Sequence, residues 1–263
     1  MMADLTAPGL SNTTVGYERT VLRIALGRAL KNGRVTRNVA TLVDPPARHR
    51  QERSPLTTAE VGAFLDSVTS DRLAALYISA VGLGLRQGEL LAQPWSNVDF
   101  DGGLLTVRHS LQRVDGALRL VEPKTAHSRR TVVMPGSVSR ALREHRRRQL
   151  EERLAAGRRW QDGDYVFTTT AGTPLDGINV THRFQQNVAA AGLPRQRFHD
   201  LRHACATLLL EHGEDLAVVS KLLGHSSLAT TADIYSHLTR AMQHRAADRM
   251  DAILGRSADI ATG

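Results

Sequence analysis

The chain has 263 residues, 41% of them hydrophobic, enough to bury a sizeable core in one large domain or two modest ones. Lys and Arg number 34 against 26 Asp and Glu, a formal net charge of +8, which favours a polyanionic partner such as nucleic acid, with a merely solvated basic surface as the alternative. A single cysteine, Cys205, excludes an intrachain disulfide and a Cys-based zinc site, and the absence of a signal-peptide pattern or long apolar run leads to the expectation of a cytosolic protein without a membrane partner.

Residues 1–10 read as disordered. From Ser11, Val15, Leu22, Leu26 and Leu30 recur at helical spacing, and Gly33 is a plausible stop. A second short segment, VTRNVATLVDPP, ends on two prolines, and this region is too short to carry an independent core. The stretch DPPARHRQERSP has no apolar periodicity and reads as a linker and domain boundary. Beyond it, TTAE fits a capping box with Thr57 as N-cap and Glu60 reaching back, at the start of a helix through Phe64 and Leu65. RLAALYISAVGLG is apolar almost all round, which predicts a buried helix.

A tight turn at Gly82 and Gly84 leads to Arg86 and a short helix over Gln87–Ala92, stopped by Pro94. Arg86 and Glu89 stand at i, i+3, which fits either a structural pair or an anion-binding Arg held by that Glu. From Asn97 to Met134 the pattern changes to period two, with turn signals at DGG, DG and KTAHS, predicting three or four short antiparallel strands with Lys124 in the loop before the last. Residues 137–156 predict a charged helix whose arginines form a solvated face paired at i, i+4 with Glu, with a dedicated DNA-reading helix as the alternative. YVFTT reads as another short strand, and GINVTHRFQQNVAAAGL as a helix ended by Gly192. Two further helices end at Gly213 and Gly224, and a terminal amphipathic helix carries Met242, Ala246, Met250 and Ile253. Cys205, amid Ala and Leu, reads as a small core residue. The fold class is thus mainly α with a small antiparallel β-sheet, an α+β arrangement.

The chemistry concentrates between His199 and Tyr235. A helix begun at His199 sets His199, Arg202 and His203 at i, i+3 and i+4, on a polar face that the neighbouring Leu and Ala residues leave spare. Only Lys31, Lys124 and Lys221 are lysines, so a Lys in this Arg-rich chain suggests a task that Arg, with its very high pKa, cannot perform. Arg86, Lys124, His199, Arg202, His225 and Tyr235 together match the needs of phosphodiester transesterification. Two guanidiniums neutralise phosphoryl oxygens, a Tyr attacks phosphorus, a His or carboxylate takes the Tyr proton or the Arg field lowers its pKa, and a Lys protonates the leaving oxygen. HDLRH also resembles the two-His helix of a zinc protease, but Arg202 between the histidines opposes a dication and no third ligand is evident; an HD-type phosphohydrolase fails for lack of acidic ligands.

The ordered motifs GLRQGELL, PKTAHSRRTVVMP, FHDLRHACAT, LLGHSS and TADIY resemble those of the tyrosine recombinases, or phage integrases, from about Ser11 to about Leu254. The resemblance implies that Arg86 and Arg202 clamp the phosphate, Glu89 organises Arg86, and Lys124 is the general acid for the 5′-hydroxyl. It also implies a base or hydrogen-bonding role for His199, a transition-state donor in His225 and a nucleophile in Tyr235 that forms a 3′-phosphotyrosyl link. It further implies double-stranded DNA as partner, a homo-tetramer on DNA from a protein that can be monomeric without it, nucleoid association, and neither metal nor other cofactor. Residues 1–50 then correspond to a partial helical core-binding domain and the start of a linker, and 55–263 to the catalytic domain. The alternatives are a truncated, catalytically impaired DNA-binding remnant and a type IB topoisomerase-like activity.

Overall fold

The computed structural model describes residues 10–45, 56–122, 129–224, 247–250 and 252. The expected N-terminal disorder, the body of the charged linker, and Met242, Ala246 and Ile253 of the terminal stripe lie outside the described residues. The chain divides into two compact units, Met1–Ser54 and Pro55–Gly263.

In the first unit, helix α1 (Asn12–Lys31) is capped by the Ser11 side chain, which accepts from the Thr14 N–H, and Gly33 follows its end at φ 66°. A 3-10 turn, Val39–Thr41, packs on it, with Asn38 Nδ2 donating to the Arg23 carbonyl (2.8 Å) and Arg19 Nε to that of Val43 (2.6 Å). Of the expected apolar stripe, Val15 is buried, but Leu22 and Leu30 are exposed. A single turn is too short to cover one face of a 20-residue helix.

The second unit is built around a helix that water hardly reaches. Helix α2 (Thr58–Ser67) opens with the expected capping box, Thr57 Oγ1 accepting from the Glu60 N–H and the Glu60 carboxylate from the Thr57 N–H. Helix α3 (Ala74–Leu83) buries Leu76, Tyr77, Ala80 and Leu83 almost completely, as its all-round apolar sequence predicts. Edge-to-face contacts at ring-centroid distances of 5.4 to 5.5 Å link Tyr77 to Phe64, Phe64 to Phe184, and Phe184 to Phe198. Four helices are thereby joined: α2, α3, α6 (Gly177–Ala190) and α7 (Phe198–Glu211).

The short helix α4 (Gln87–Leu91) follows α3. Strands β1 (Val98–Asp99), β2 (Leu104–Val107) and β5 (Arg130–Val133) form an antiparallel sheet in the order β1-β2-β5, while β3 (Ser110–Val114) and β4 (Ala117–Val121) form a separate hairpin. The hairpin turns at Asp115 and Gly116, φ 50° and 78°, as its Asp-Gly pair demands. The mainly α fold with a small antiparallel sheet is therefore observed, with five strands in two sheets among the described residues.

Two local expectations are corrected. YVFTT is not a strand: Tyr165 and Thr168 make only isolated bridges, to Pro94 and Pro174. Side chains from helix α5 (Gly136–Ala156) occupy the carbonyls that a strand would offer a neighbour. Gln149 Nε2 donates to the Tyr165 and Val166 carbonyls, both at 3.1 Å, and His145 Nε2 lies 2.8 Å from that of Val166. The α5 arginines, in turn, are not simply a solvated face with i, i+4 partners. Arg147 pairs with Glu144 at i, i+3, but Arg143 and Arg146 lie over the rings of Phe100 and Trp95, and Arg148 donates to the carbonyls of Asp71 and Arg72. No helix among the described residues is long and apolar enough to cross a membrane.

Helix α4 presses so closely on the hairpin that Gly88 has no room for a side chain. A Cβ there stands 2.5 Å from Ser110 Oγ and 2.8 Å from the Leu111 carbonyl oxygen. In an open helix Gly→Ala gains about 1 kcal/mol; here the clash reverses the sign, and Gly88→Ala is expected to destabilise the protein by about 1–3 kcal/mol. Chemical denaturation checks this, and an unchanged or raised midpoint counts against the packing argument.

Candidate active site

The site begins where α3 ends. Gly84 caps that helix in the left-handed conformation, φ 58°, and a Cβ there meets Leu223 Cδ2 at 2.6 Å, so only glycine fits. The chain turns at once into Arg86, the N-cap of α4. Arg86 donates its backbone N–H to Glu89 Oε2 (3.0 Å) and Nη1 to Oε1 (2.8 Å), so the carboxylate fixes both the helix start and the guanidinium. The Glu89 side chain is 4% exposed, that of Arg86 41%, which leaves Arg86 accessible to an anion.

Sequence reasoning missed the second guanidinium on this carboxylate. Arg130, on β5, places Nη2 3.0 Å from Glu89 Oε2 and Nη1 3.4 Å from Oε1, and donates Nε to the Leu222 carbonyl at 2.8 Å. The signal was present in the strand period. Arg130 shares a face with Val132 and Met134, both buried, so its side chain points inward and needs a counter-charge. Burial raises the Glu89 pKa, but the bonds and charge of Arg130 and the bonds from Arg86 outweigh it and hold the carboxyl below its ordinary range.

Helix α7 supplies the remaining described groups. It starts at Phe198 behind Arg197, whose N–H donates to Asp200 Oδ2 at 2.6 Å. His199 and His203 stand one turn apart with rings edge to face, centroids 4.8 Å apart. Arg202 departs from the expected spare polar face: at 2% exposure it is buried, donating Nη1 to the Gly84 carbonyl (2.6 Å) and Nη2 to that of Leu223 (2.7 Å). Leu223 ends helix α8 (Leu216–Leu223), and the carbonyls of a helix C-terminus are a favourable seat for a cation. Arg202 thus ties the turn before Arg86 to the end of α8. Cys205 lies behind it, buried as expected, with its thiol pushed up to about 11 by burial. Lys124, His225 and Tyr235 lie outside the described residues. Over β2 and β5 a hollow of about 490 Å³ is bordered by Arg108, His109, Glu122 and Arg129. Among the described residues no group of His, Cys, Asp and Glu is placed to hold a metal ion.

A model of the phage integrase family matches residues 55–242. The chain belongs to the phage integrase family. It is 35% identical over 248 residues to a tyrosine recombinase XerC-like protein of Caldanaerobacter subterraneus subsp. tengcongensis, covering 88% of this chain and 63% of that protein. It is 31% identical over 263 residues to an integrase of Streptomyces ambofaciens, covering 95% of this chain and 66% of that one. The chain therefore spans about two thirds of the length of these relatives. Among solved structures, the fold is similar to that of the Tn1549 transposon integrase in complex with a circular intermediate DNA, with a TM-score of 0.79 at 22% identity over 95% of this chain and 83% of that one. It is also similar to a lambda integrase dimer bound to a COC′ core site, with a TM-score of 0.60 at 22% identity over 89% and 61%.

In this chain the electrostatics of α7 favour a neutral imidazole. His199 keeps an exposed edge, yet partial loss of solvent, then the positive charges of His203, Arg202 and Arg86 against the weaker pull of Asp200, push its pKa down to about 4. His203 is lowered as well, chiefly by burial. Because these values lie below the ordinary 6.5, the unfolded chain binds more protons on the acid side. The contribution of His199 to stability is complete above about pH 6.5 and is lost as pH falls through about 4, and that of His203 is lost in the same direction. A titration of the imidazole carbon-bound protons by NMR is expected to give His199 a midpoint near 4 and His203 one below 6.5. A His199 midpoint at 6.5 or above contradicts the electrostatic account.

Proposed function

We propose that this chain is a site-specific DNA recombinase that cleaves and rejoins double-stranded DNA through a 3′-phosphotyrosyl intermediate. The observation that carries the reading is the nearness of Arg86, braced by a buried carboxylate, to His199 and the buried Arg202, which two separate motifs supply. Relatives named as integrases and tyrosine recombinases support the same reaction.

In this scheme Arg86, accessible and braced by Glu89, and Arg202, oriented from below by two carbonyls, neutralise the charge that grows on the phosphoryl oxygens. The Tyr235 oxygen attacks phosphorus and the bond to the 5′-oxygen breaks; neutral His199 accepts the phenol proton, while Lys124 protonates the departing 5′-oxygen. His225 donates a hydrogen bond to the transition state. The phosphotyrosyl ester conserves the bond energy, and attack by the 5′-hydroxyl of another strand reverses the step without ATP. The first unit, Met1–Ser54, serves as part of a core-binding domain, and four copies act on two duplexes at the nucleoid.

A nicked suicide substrate carrying the DNA that flanks the gene tests this. The wild-type chain is expected to trap a covalent adduct that vanishes in Tyr235→Phe and forms about 10²- to 10³-fold more slowly in Arg86→Ala. Salt-dependent binding with no adduct points instead to a DNA-binding remnant, and relaxation of supercoils at no specific site to a topoisomerase.

A further inference from the structure

We propose that Arg130 is a positioning residue of this site, holding Glu89, and through it Arg86, in fixed register with the C-terminus of α8. The proposal rests on the reading of Arg86 and Glu89 as parts of the phosphate-handling face. Arg130 uses its guanidinium in two directions: Nη1 and Nη2 address the carboxylate, and Nε donates to the Leu222 carbonyl. One planar group therefore connects strand β5, helix α4 and the end of helix α8. A lysine ammonium concentrates its donors at a single point and cannot span that arrangement.

The last turn of α8 is shaped around this guanidinium. Gly224 ends the helix at φ 66°, and a Cβ there meets Arg130 Nη1 at 2.9 Å, Cζ at 3.1 Å and Cδ at 3.2 Å. Arg202 takes the next carbonyl, that of Leu223, so adjacent carbonyls at this helix end are each held by an arginine. Gly224 leads in sequence directly to His225. With Arg130 removed, the buried Glu89 keeps Arg86 as its charge partner on α4, and of the ties described above between this region and the end of α8 the one through Arg202, at Gly84 before α4, remains while the one from Glu89 itself is lost. A displacement of about 1 Å between catalytic groups is enough to cost about 10²-fold in rate.

The test uses the full chain with Arg130→Lys and Arg130→Gln and two readouts. In DNA-free protein, hydrogen exchange is expected to accelerate over residues 86–92 and 216–224 in both variants, while residues 74–83 of α3 keep their protection. On the suicide substrate at saturating DNA, single-turnover cleavage is expected to fall about 10²-fold in both, with the half-saturating DNA concentration unchanged. Wild-type exchange and rate in Arg130→Lys overturn the proposal, as does a loss seen wholly in DNA affinity or a loss of protection spread evenly over α3. If the wild type itself forms no adduct, the catalytic reading fails, and the exchange pattern decides the positioning role: selective acceleration supports it and unchanged protection sinks it.

Discussion

A carboxylate taken out of water has to be answered by positive charge and hydrogen bonds or it does not stay ionised. Glu89 is answered twice, by Arg86 three residues before it and by Arg130 from a strand far along the chain. The first partner comes nearly free, since the turn that begins α4 already brings residues three apart together. The second requires β5 to lie in register on β2, Val107 opposite Arg130, so that the inward face of the strand delivers its guanidinium. Helix, sheet and carboxylate are thus conditions on one another, and losing either guanidinium leaves the buried carboxylate with one charge partner instead of two.

The same logic extends to Arg202. A guanidinium buried to 2% exposure is tolerated because two backbone carbonyls accept from it, one at the end of α3 and one at the end of α8. Both are helix C-terminal carbonyls with no partner inside their own helices, so charge and dipole satisfy each other. These contacts fix distances within the protein itself. In the proposed reaction, electrostatic stabilisation depends on dipoles and charges that need not reorganise as the transition state forms, and for Arg202 two backbone carbonyls supply that fixed setting.

How much of this was legible beforehand follows from the range of each interaction. Capping by Glu60, the buried character of α3, the Asp-Gly hairpin turn and the Arg86–Glu89 pair are set by residues a few positions apart, and local pattern revealed them. The motif order named the candidate residues, of which the described structure brings Arg86, Glu89, His199 and Arg202 together. What failed was long-range. YVFTT had strand propensity, but its carbonyls are claimed by Gln149 and His145, and no local rule reveals that competition. The burial of Arg202 depends on carbonyls 118 and 21 positions away, and the second partner of Glu89 lies 41 positions from it.

The surplus of arginine also turns out to have divided uses. Several guanidiniums on α5 lie on aromatic rings or backbone carbonyls, so the formal charge of +8 does not translate into a uniform anion-binding surface. Where positive charge does converge, around Arg86 and Arg202, it has a second effect: it helps hold His199 neutral. A phosphodiester set against that face brings a negative charge that offsets the guanidiniums and shifts the balance back toward a protonated ring. In the proposed reaction, the field that attracts the phosphate therefore also keeps His199 ready as proton acceptor without DNA and strengthens its basicity once the phosphate is in place, joining substrate binding to proton transfer through ordinary Coulomb interactions.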